Sequence, residues 1–504
     1  MRYKATCTSA GSVAWPSSVN STGMRARPVT ASASCKMAGD TLLVSCYELG
    51  HQPFNLASPL AALAEAGFEA RAIDTSLDLL TDEDLLRASL IAISVPMHTA
   101  MRLAESVARQ ARAANPTAHL TMYGLYAWLN AEYLLGESEN IVLPDSRLPA
   151  PGARLADSVI GGEFEQPLVN LARALADGSA AEGVRYPGRY AAPYIARIAF
   201  ATPRRETLPG LDRYAGLEHN GQVVPAGYVE ASRGCKHTCS HCPITPVYGG
   251  RFFAVPREVV LEDIRAQVRA AARHITFGDP DFLNGPTHSL KIVRAMHAEF
   301  PDLTFDATIK VEHILEHAQI FPELHDLGCL FVVSAVESLS DTVLARLRKG
   351  HDAAGVSRAL DIMAEACIPL RPSLVSFTPW TTLDDYCELL RFVEARGLID
   401  SVDAVQYAIR LLIPPGSALL DEPDAADWLG ELDAPAFSYR WRHPDPGMDR
   451  LHAEVSAIVE RAELEGSDAR AAFAAVKATA GLEPAPILAA TGARPPRLTE
   501  SWFC

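Results

Sequence analysis

Residues 232–243 read Ser232-Arg233-Gly234-Cys235-Lys236-His237-Thr238-Cys239-Ser240-His241-Cys242-Pro243. Three of the chain's ten cysteines therefore fall within eight residues, in the spacing Cys-x3-Cys-x2-Cys. Thiols packed this densely, in a chain without a recognisable secretory signal, indicate a metal or cluster site rather than disulfides. Structural zinc normally takes four ligands, whereas this loop offers three thiolates and two histidines. Three thiolates suit an iron–sulfur cluster with one open iron; a zinc site that uses His241 and unliganded core thiols are the alternatives.

The loop follows a strand-like segment, Tyr228-Val229-Glu230-Ala231, and together they resemble the signature of radical S-adenosylmethionine (SAM) enzymes. The resemblance implies that a [4Fe–4S] cluster is bound by Cys235, Cys239 and Cys242. Its fourth iron would take the amino and carboxylate groups of SAM. One electron from the reduced cluster would then cleave SAM to a 5′-deoxyadenosyl radical.

Three neighbours of the cysteines have expected roles of their own. Gly234 is expected to let the backbone leave the strand in a conformation closed to most residues. Arg233 and Lys236 are expected to place positive charge beside the thiolates, where it lowers their pKa and tunes the cluster potential.

The composition is that of a soluble globular protein, with 504 residues, 48% hydrophobic and 21% charged. The formal net charge of -16 disfavours general nucleic-acid binding, because phosphates require a basic face. No apolar run approaches the roughly 20 residues that span a bilayer. Because the cysteines come without a signal peptide, we expect a reducing compartment and a cytoplasmic protein.

Residues 37–180 are predicted to form a doubly wound Rossmann-like domain. Helical segments alternate there with short apolar segments at residues 41–46, 90–95, 119–124 and 158–162. This alternation is typical of a parallel α/β sheet, which binds ligands beyond the carboxyl ends of its strands. Residues 1–36 contain no Asp or Glu and show no apolar period, so we expect a disordered extension that lies upstream of the true start at Met37, with an organelle transit peptide as the alternative.

A Rossmann-like domain ahead of a radical SAM core resembles the cobalamin-binding class of that superfamily. The order of features matches at Ser94, after one strand, and at Gly161 and Gly162, before the closing helix. The resemblance implies that these residues contact cobalamin. The loop after the first strand, residues 45–51, lacks the Asp-x-His-x-x-Gly that supplies an axial histidine in many cobalamin domains. The alternative is a degenerate domain that shapes the active site or carries a partner surface.

Residues 223–422 are predicted to form a partial (β/α)6 barrel, reached through a linker at residues 181–222. Barrel strands are expected at residues 226–233, 274–277, 303–307, 329–333, 370–375 and 402–407. Catalytic groups of parallel barrels lie at the carboxyl ends of the strands.

Several of these strand ends carry residues that match SAM-binding positions of the superfamily. Gly278-Asp279-Pro280 resembles a Gly-Gly-Glu motif, with Asp in place of Glu. Residues 334–338, with Leu347-Arg348-Lys349-Gly350, resemble the Gly-x-Glu-Ser…Lys-Gly pattern of cobalamin-class members, except that Ala335 replaces the glycine. The candidates for cofactor contact are therefore Gly278, Asp279, Glu337, Ser338, Lys310 and Arg410. For the two cations the alternative is a structural ion pair.

Residues 423–504 are predicted to be a small helical region with helices at residues 424–432, 448–465 and 468–480, followed by a tail. The tail ends in Trp502-Phe503-Cys504 and resembles a radical SAM group with a terminal Cys-Cys-Ala-Glu-Pro or Cys-selenocysteine-Ala-Glu-Pro motif. The resemblance implies that the protein continues through selenocysteine and that Cys504 is a catalytic thiol. A natural end anchored by the two aromatic residues is the alternative.

The sequence thus predicts a radical SAM enzyme that functionalises a C–H bond, with cobalamin-dependent methylation as one outcome. The substrate class stays open between a small molecule and a peptide, and the electron donor is expected to be a flavodoxin or ferredoxin. A non-catalytic iron–sulfur or zinc protein, acting as a redox carrier or interaction module, is the competing hypothesis.

Overall fold

The computed structural model describes residues 40–137, 154–483 and 494–500. The predictions for residues 1–36 and for Cys504 lie outside these ranges. The first sheet is parallel, with the strand order β2-β1-β3-β4-β5. Its strands are β1 (Asp40–Ser45), β2 (Ala70–Asp74), β3 (Ala88–Ser94), β4 (His119–Tyr123) and β5 (Ser158–Ile160).

Helices cover both faces of this sheet. Successive strand residues face opposite sides, so Leu42 and Val44 pack in one apolar cluster and Leu43 packs in another. Burial on both faces explains why the strands are continuous apolar runs. The doubly wound prediction is confirmed. The helices described here are α1 (Phe54–Glu65), α2 (Asp82–Leu86), α3 (His98–Ala114), α4 (Leu125–Leu129), α5 (Ala131–Leu134) and α6 (Glu165–Asp177).

A second, curled sheet forms the partial barrel, with the order β13-β12-β11-β10-β7-β6-β16. The strands from β7 to β13 are parallel neighbours, whereas β6 runs antiparallel to β7 and to β16. Two antiparallel ribbons, β8 with β9 and β14 with β15, lie outside it. These strands are β6 (Gly216–His219), β7 (Gln222–Val229), β8 (Ser232–Gly234), β9 (Phe252–Ala254), β10 (His274–Phe277), β11 (Thr304–Thr308), β12 (Cys329–Glu337), β13 (Leu370–Leu374), β14 (Leu429–Asp433), β15 (Ser438–Trp441) and β16 (Arg497–Leu498).

Helices between the barrel strands bury their apolar faces against the sheet in one continuous core. The same core includes residues from the last two helices, so those helices complete the barrel's packing. The remaining helices are α7 (Thr245–Tyr248), α8 (Arg257–Arg269), α9 (Pro286–Glu299), α10 (Val311–Glu316), α11 (Phe321–Asp326), α12 (Asp341–Arg346), α13 (Ala353–Glu365), α14 (Leu383–Ala395), α15 (Ala425–Trp428), α16 (Pro446–Glu465) and α17 (Ala469–Thr479).

The predicted sixth barrel strand at residues 402–407 is wrong. The segment Ala404–Tyr407 is a 3-10 helix, and the chain rejoins the barrel edge through a bridge between Phe377 and Arg410. The side chain of Gln406 occupies the place of a neighbouring strand, because its Oε1 accepts a hydrogen bond from the backbone N of Leu374 (2.8 Å). The edge of β13 is therefore satisfied without a full strand.

The C-terminal region is helical only in part. The helix predicted at residues 424–432 is wrong over its second half, since α15 gives way at Leu429 to the hairpin of β14 and β15. The two other predicted helices are present as α16 and α17. They pack against the barrel, with the rings of Tyr407 and Phe473 at 5.3 Å between centroids.

The segment predicted as a linker contributes β6 to the edge of the barrel sheet. The domain boundaries at residues 37–180, 181–222, 223–422 and 423–504 stay a prediction. Within the described ranges, none of the helices is both long and apolar enough to cross a membrane.

Candidate active site

The cysteine loop leaves the barrel through β8, which pairs with β9. Gly234 has a φ of +74°, and a Cβ at this position would lie 2.5 Å from the carbonyl oxygen of Arg251. Only glycine avoids this collision and tolerates this backbone. Asn284 holds the loop on both sides, because its Nδ2 donates to the Gly234 oxygen (3.3 Å) and its Oδ1 accepts from the Lys236 backbone N (3.1 Å).

The three loop thiols are reduced; Cys235 and Cys239 are buried and Cys242 is partly buried. The pKa of Cys242 is raised to about 12, mainly by burial; the neighbouring thiols Cys239 and Cys235 act in the same direction, and Lys349 opposes them. Unliganded thiolates are thus costly here, and a cationic metal centre would supply the missing charge. Among the described residues, one other group of potential ligand atoms lies within 4.8 Å of one another, and it does not include these thiols.

A buried ion pair lies beside the thiols at the end of β12. Glu337 Oε1 is 3.0 Å from Lys349 Nζ and 3.3 Å from His241 Nε2. Burial opposes ionisation of Glu337, but Lys349 and His241 outweigh burial and hold its pKa well below the usual range. The neighbouring Cys239 and Cys242 also favour the charged form of Lys349 and so raise its pKa. The adjacent Ser338 is buried, and its Oγ accepts from the backbone N of Ser340 (3.1 Å).

The turn after β10 places Gly278 and Asp279 next to the strand that enters the loop. Asp279 Oδ2 accepts from the backbone N of Ala231 (2.9 Å), and its Oδ1 accepts from Ser232 Oγ (2.5 Å). Burial raises the pKa of Asp279 to about 7. Gly278 packs against Tyr228, since a Cβ there would lie 2.0 Å from the phenol oxygen. Both residues thus brace the loop's entry, and their contact with SAM stays a prediction.

The two predicted cations lie in different surroundings. Lys310 is buried at the start of α10 and pairs with Glu312 at 3.1 Å. It is close enough to Cys235 to favour that thiolate. Arg410 pairs with Asp449 (2.8 Å) and stacks on Trp441 (3.5 Å to the ring centroid). Lys310 therefore lies beside the cysteine loop, whereas Arg410 contacts the C-terminal hairpin of β14 and β15.

The expectation that Arg233 lies against the thiolates is wrong, whereas the same expectation for Lys236 stays a prediction. The Arg233 guanidinium is turned toward three carboxylates, those of Glu163 (2.9 Å), Glu165 (2.6 Å) and Glu230 (2.8 Å), and Lys236 is exposed. A buried cation is stable only with such partners. Arg233 therefore ties the barrel to the carboxyl end of β5 in the first sheet.

A cleft with an open space of about 880 Å³ lies between the two sheets. The first sheet contributes Met97, Gly124 and Gly162 to its wall, and the barrel contributes Tyr228, Gly234 and Gly278, among others. It therefore lies where carboxyl ends of parallel strands from both sheets converge, which is the usual ligand site of such folds.

The residues predicted to contact cobalamin differ in whether they line the cleft. Gly162 lines the cleft. Ser94 is 1% exposed at the end of β3, and Gly161 is needed for packing, since a Cβ there would lie 2.5 Å from the Trp128 ring. The loop after β1 nevertheless places His51 in the cleft wall, with a pKa lowered to about 4 by burial, so its ring is neutral.

Sequence reasoning did not bring together His237, Asp281 and His313, whose side chains converge next to the loop. It also did not assign a role to Asn284. Their separation along the chain carries no local signal.

Comparison with known proteins agrees with this geometry. Residues 229–393 match the family model described as the Radical SAM superfamily. The hopanoid C-3 methylase of Methylococcus capsulatus is 22% identical over 342 residues, which are 65% of this chain and 62% of that protein. An uncharacterized methyltransferase of Pyrococcus horikoshii is 24% identical over 308 residues, covering 58% of this chain and 62% of that protein. The chain thus matches less than two thirds of the length of these relatives.

Two solved structures share the arrangement of both sheets. The cobalamin-dependent SAM radical enzyme OxsB, with aqua-cobalamin bound, superposes with a TM-score of 0.64 at 14% identity, covering 85% of this chain and 67% of that one. The radical SAM methyltransferase TsrM from Kitasatospora setae, with cobalamin and a [4Fe–4S] cluster bound, gives a TM-score of 0.55 at 15% identity, covering 72% and 74%. At these identities the likeness establishes the fold.

The loop of three thiols, its position at the barrel's carboxyl end and the family match agree with one another. The radical SAM superfamily uses a [4Fe–4S] cluster and SAM, and the donor set of the loop fits that cluster. Residues 229–393 are therefore a radical SAM domain, and the chain shares the two-sheet fold of OxsB and TsrM.

Proposed function

We propose that this enzyme cleaves SAM reductively and uses the resulting 5′-deoxyadenosyl radical to functionalise a C–H bond, with cobalamin held in the cleft between the two sheets and methylation as the outcome. The observation that carries the proposal is the juxtaposition of the reduced thiol loop with a cleft walled by both sheets. The bound cluster supplies the electron for SAM cleavage, and bound cobalamin supplies a carrier for a methyl group.

The chain's own residues have distinct tasks in this scheme. Cys235, Cys239 and Cys242 hold the cluster, and Lys349 balances the negative charge of the thiolates. Glu337, fixed as a carboxylate by Lys349, offers two acceptor oxygens to the hydroxyl or ammonium groups of SAM. Ser338, Gly278 and Lys310 complete the proposed SAM site. Gly162 gives backbone access to the cleft, where cobalamin would lie.

The decisive experiment measures cobalamin and 5′-deoxyadenosine on the same anaerobically reconstituted preparation. We expect a broad visible absorption, bound cobalamin and 5′-deoxyadenosine that depends on both SAM and reductant. Cys239→Ala should abolish the absorption and the product. Cys329→Ala is the matched control, because this thiol is buried in β12, outside the loop, and should leave both intact. A cluster that forms no 5′-deoxyadenosine would favour the competing hypothesis of a non-catalytic iron–sulfur protein. Formation of 5′-deoxyadenosine by protein that binds no cobalamin would restrict the proposal to radical chemistry.

The role of Asp279 in SAM binding needs its own test. Asp279→Ala should weaken SAM binding while iron and sulfide contents stay unchanged. Asp279→Asn separates charge from shape, because it keeps one acceptor for Ser232 Oγ. If both variants bind SAM as the wild type does, Asp279 only braces the strand.

The electron donor is proposed to be a flavodoxin or ferredoxin in the cytoplasm. The acidic composition does not by itself select either protein. Reduced flavodoxin or reduced ferredoxin should support 5′-deoxyadenosine formation in place of dithionite. Absence of 5′-deoxyadenosine with either reduced protein, in a preparation that forms it with dithionite, would refute this pairing.

Cys504 is proposed to act as a catalytic thiol. Support comes from Glu500, whose Oε1 accepts from the Tyr47 hydroxyl (2.7 Å), because Tyr47 belongs to the loop that also carries the cleft residues Glu48 and His51. Cys504→Ser should spare SAM cleavage but lower product formation; unchanged product formation contradicts the role.

A further inference from the structure

A second group of potential metal ligands lies beside the cysteine loop. His237 belongs to the loop, Asp281 to the turn after β10 and His313 to α10, which follows β11. One ligand atom from each lies within 4.8 Å of the other two. Three consecutive carboxyl-end segments of the barrel therefore converge on one point.

The three side chains of this group lie within contact distance of one another, and His313 turns a different ring nitrogen toward each partner. Asp281 Oδ2 is 2.6 Å from His313 Nδ1 and 3.6 Å from His237 Nε2, and the two Nε2 atoms are 3.2 Å apart. Ligands held about 2.0–2.2 Å from one metal lie roughly 3 Å from each other. A shared ion would take one nitrogen of each ring, so binding requires the His313 ring to shift until one nitrogen faces both partners.

Burial makes the group difficult to explain as an ordinary polar cluster. Asp281 and His313 are fully buried. Asp281 Oδ1 accepts from the backbone N of Leu283 (3.2 Å) and so caps the turn. Its Oδ2 and His313 Nδ1 approach to 2.6 Å, but not in the geometry of a hydrogen bond, and neither atom has another hydrogen-bond partner among the described residues. A buried carboxylate oxygen without a donor or cation is costly.

The nearby cation does not relieve this carboxylate, because Lys310 is paired with Glu312 at 3.1 Å. Glu312 also lies 3.4 Å from the other ring nitrogen of His237, Nδ1. Metal-binding histidines commonly direct their second nitrogen to a carboxylate, which fixes the ring. Glu312 therefore has the position of a supporting residue for a His237 ligand.

From these observations we propose that His237, Asp281 and His313 form a mononuclear site for a divalent transition metal, separate from the cluster held by the three cysteines. Two imidazoles and one carboxylate are the donor set of zinc enzymes and of non-haem iron(II) sites, and they leave coordination positions open. The hard-cation alternatives Mg²⁺ and Ca²⁺ are disfavoured, because two of the three donors are nitrogen. The proposal stands whether or not the chain forms 5′-deoxyadenosine.

Zinc is the probe of choice because it has no redox chemistry and its ligands are distinguished by bond length. The cluster is first reconstituted anaerobically, so that the thiols are occupied, and the protein is then equilibrated with Zn²⁺ and desalted. Zinc and iron are counted on the same sample. We expect about one zinc per chain with no loss of iron, and an absorption-edge spectrum with nitrogen and oxygen neighbours at about 2.0–2.2 Å.

Matched variants locate the ion. His313→Gln and Asp281→Asn should each weaken zinc binding by about a hundredfold or more, and Asp281→Asn retains the oxygen that accepts from Leu283 N. His317→Gln, one turn further along the chain and with its Nε2 beside Glu316, should bind zinc as the wild type does. The proposal is overturned if the wild type does not retain zinc or if the zinc has sulfur neighbours near 2.3 Å. It is also overturned if Asp281→Asn and His313→Gln retain as much zinc as the wild type.

Discussion

Arg205 joins three parts of the chain through a buried ion pair. Its Nε and Nη2 donate to both carboxylate oxygens of Asp263 in α8 (2.7 and 2.9 Å). Nη1 donates to Gln52 Oε1 (3.0 Å) in the loop after β1, and Nη2 also reaches the carbonyl oxygen of Tyr228 (2.7 Å). The side chains of Arg205 and Asp263 are only 7% and 3% exposed.

Arg205→Met is therefore expected to lower the free energy of unfolding by about 3–5 kcal/mol, the usual cost of leaving one partner of a buried pair alone. The Tyr228 oxygen keeps a second donor, Gln267 Nε2 (3.0 Å), and adds little to the loss. The Met side chain retains part of the packing over the Phe54 ring. The charge of Asp263 is thus the dominant cost.

The adjacent Arg204 supplies a matched control. It pairs with Glu206 at 3.0 Å, but the two side chains are 48% and 63% exposed. Solvent screens such a pair, so Arg204→Met should cost only about 0–1 kcal/mol. Urea denaturation followed by far-ultraviolet circular dichroism, under anoxic conditions, compares the two variants.

A double substitution distinguishes charge from shape. Arg205→Met with Asp263→Leu removes both charges and should recover most of the lost stability, because no buried carboxylate remains unpaired. If Arg205→Met costs no more than Arg204→Met, or if the double variant is less stable than Arg205→Met, the reasoning is refuted.

Three further predictions follow from buried groups. Burial raises the pKa of Glu48 from 4.5 to about 8. The stabilising contribution of Glu48 is therefore complete below pH 4.5 and is lost as the pH rises through about 8. Glu48→Gln should remove this loss, and measurements of the unfolding free energy across that pH range would show it. Lys349→Met should make the cluster potential more negative and slow SAM cleavage at least about tenfold, because Glu337 and the thiolates lose their cation; redox titration and 5′-deoxyadenosine assays measure both effects. Gly161→Ala should cost about 1–3 kcal/mol in unfolding free energy, because its Cβ would lie 2.5 Å from the Trp128 ring.

Each of these has a clear contrary result. A constant stability difference between wild type and Glu48→Gln from pH 5 to pH 8 would mean that burial does not shift this carboxyl. A Lys349→Met potential equal to that of the wild type would remove Lys349 from the cluster's surroundings. For Gly161, the control is Gly285→Ala, where the nearest atom is 3.7 Å from the added Cβ, and equal stabilities of the two variants would contradict the packing argument.

The sequence was sufficient to predict both sheets and the cysteine loop, because their signals are local. Continuous apolar runs mark strands that are covered on both faces, and three cysteines within one loop need no tertiary information. The position of Gly234 could likewise be anticipated, since its conformation is a property of one residue. These features specify most of the fold and the centre of the site.

Features that depend on distant partners were not predictable in this way. Arg233 was expected beside the thiolates, but it pairs with Glu163, which lies 70 residues away in the chain. Residues 402–407 have the composition of a strand, yet the side chain of Gln406 satisfies the barrel edge. Similarly, His237 and His313 are 76 residues apart. Burial and partner choice decide these cases, and neither is a property of the local sequence.

The short strand β16 has a consequence for the way the barrel is completed. It covers the outer edge of β6 through Leu217 and Glu218, whose partners are Leu498 and Arg497, and Arg497 also pairs with Glu218 across 279 residues of chain. An uncovered strand edge is a template for pairing with other chains. During synthesis the edge of β6 stays unpaired until almost the entire barrel has left the ribosome. Pairing with β16 then protects this edge from pairing with other chains.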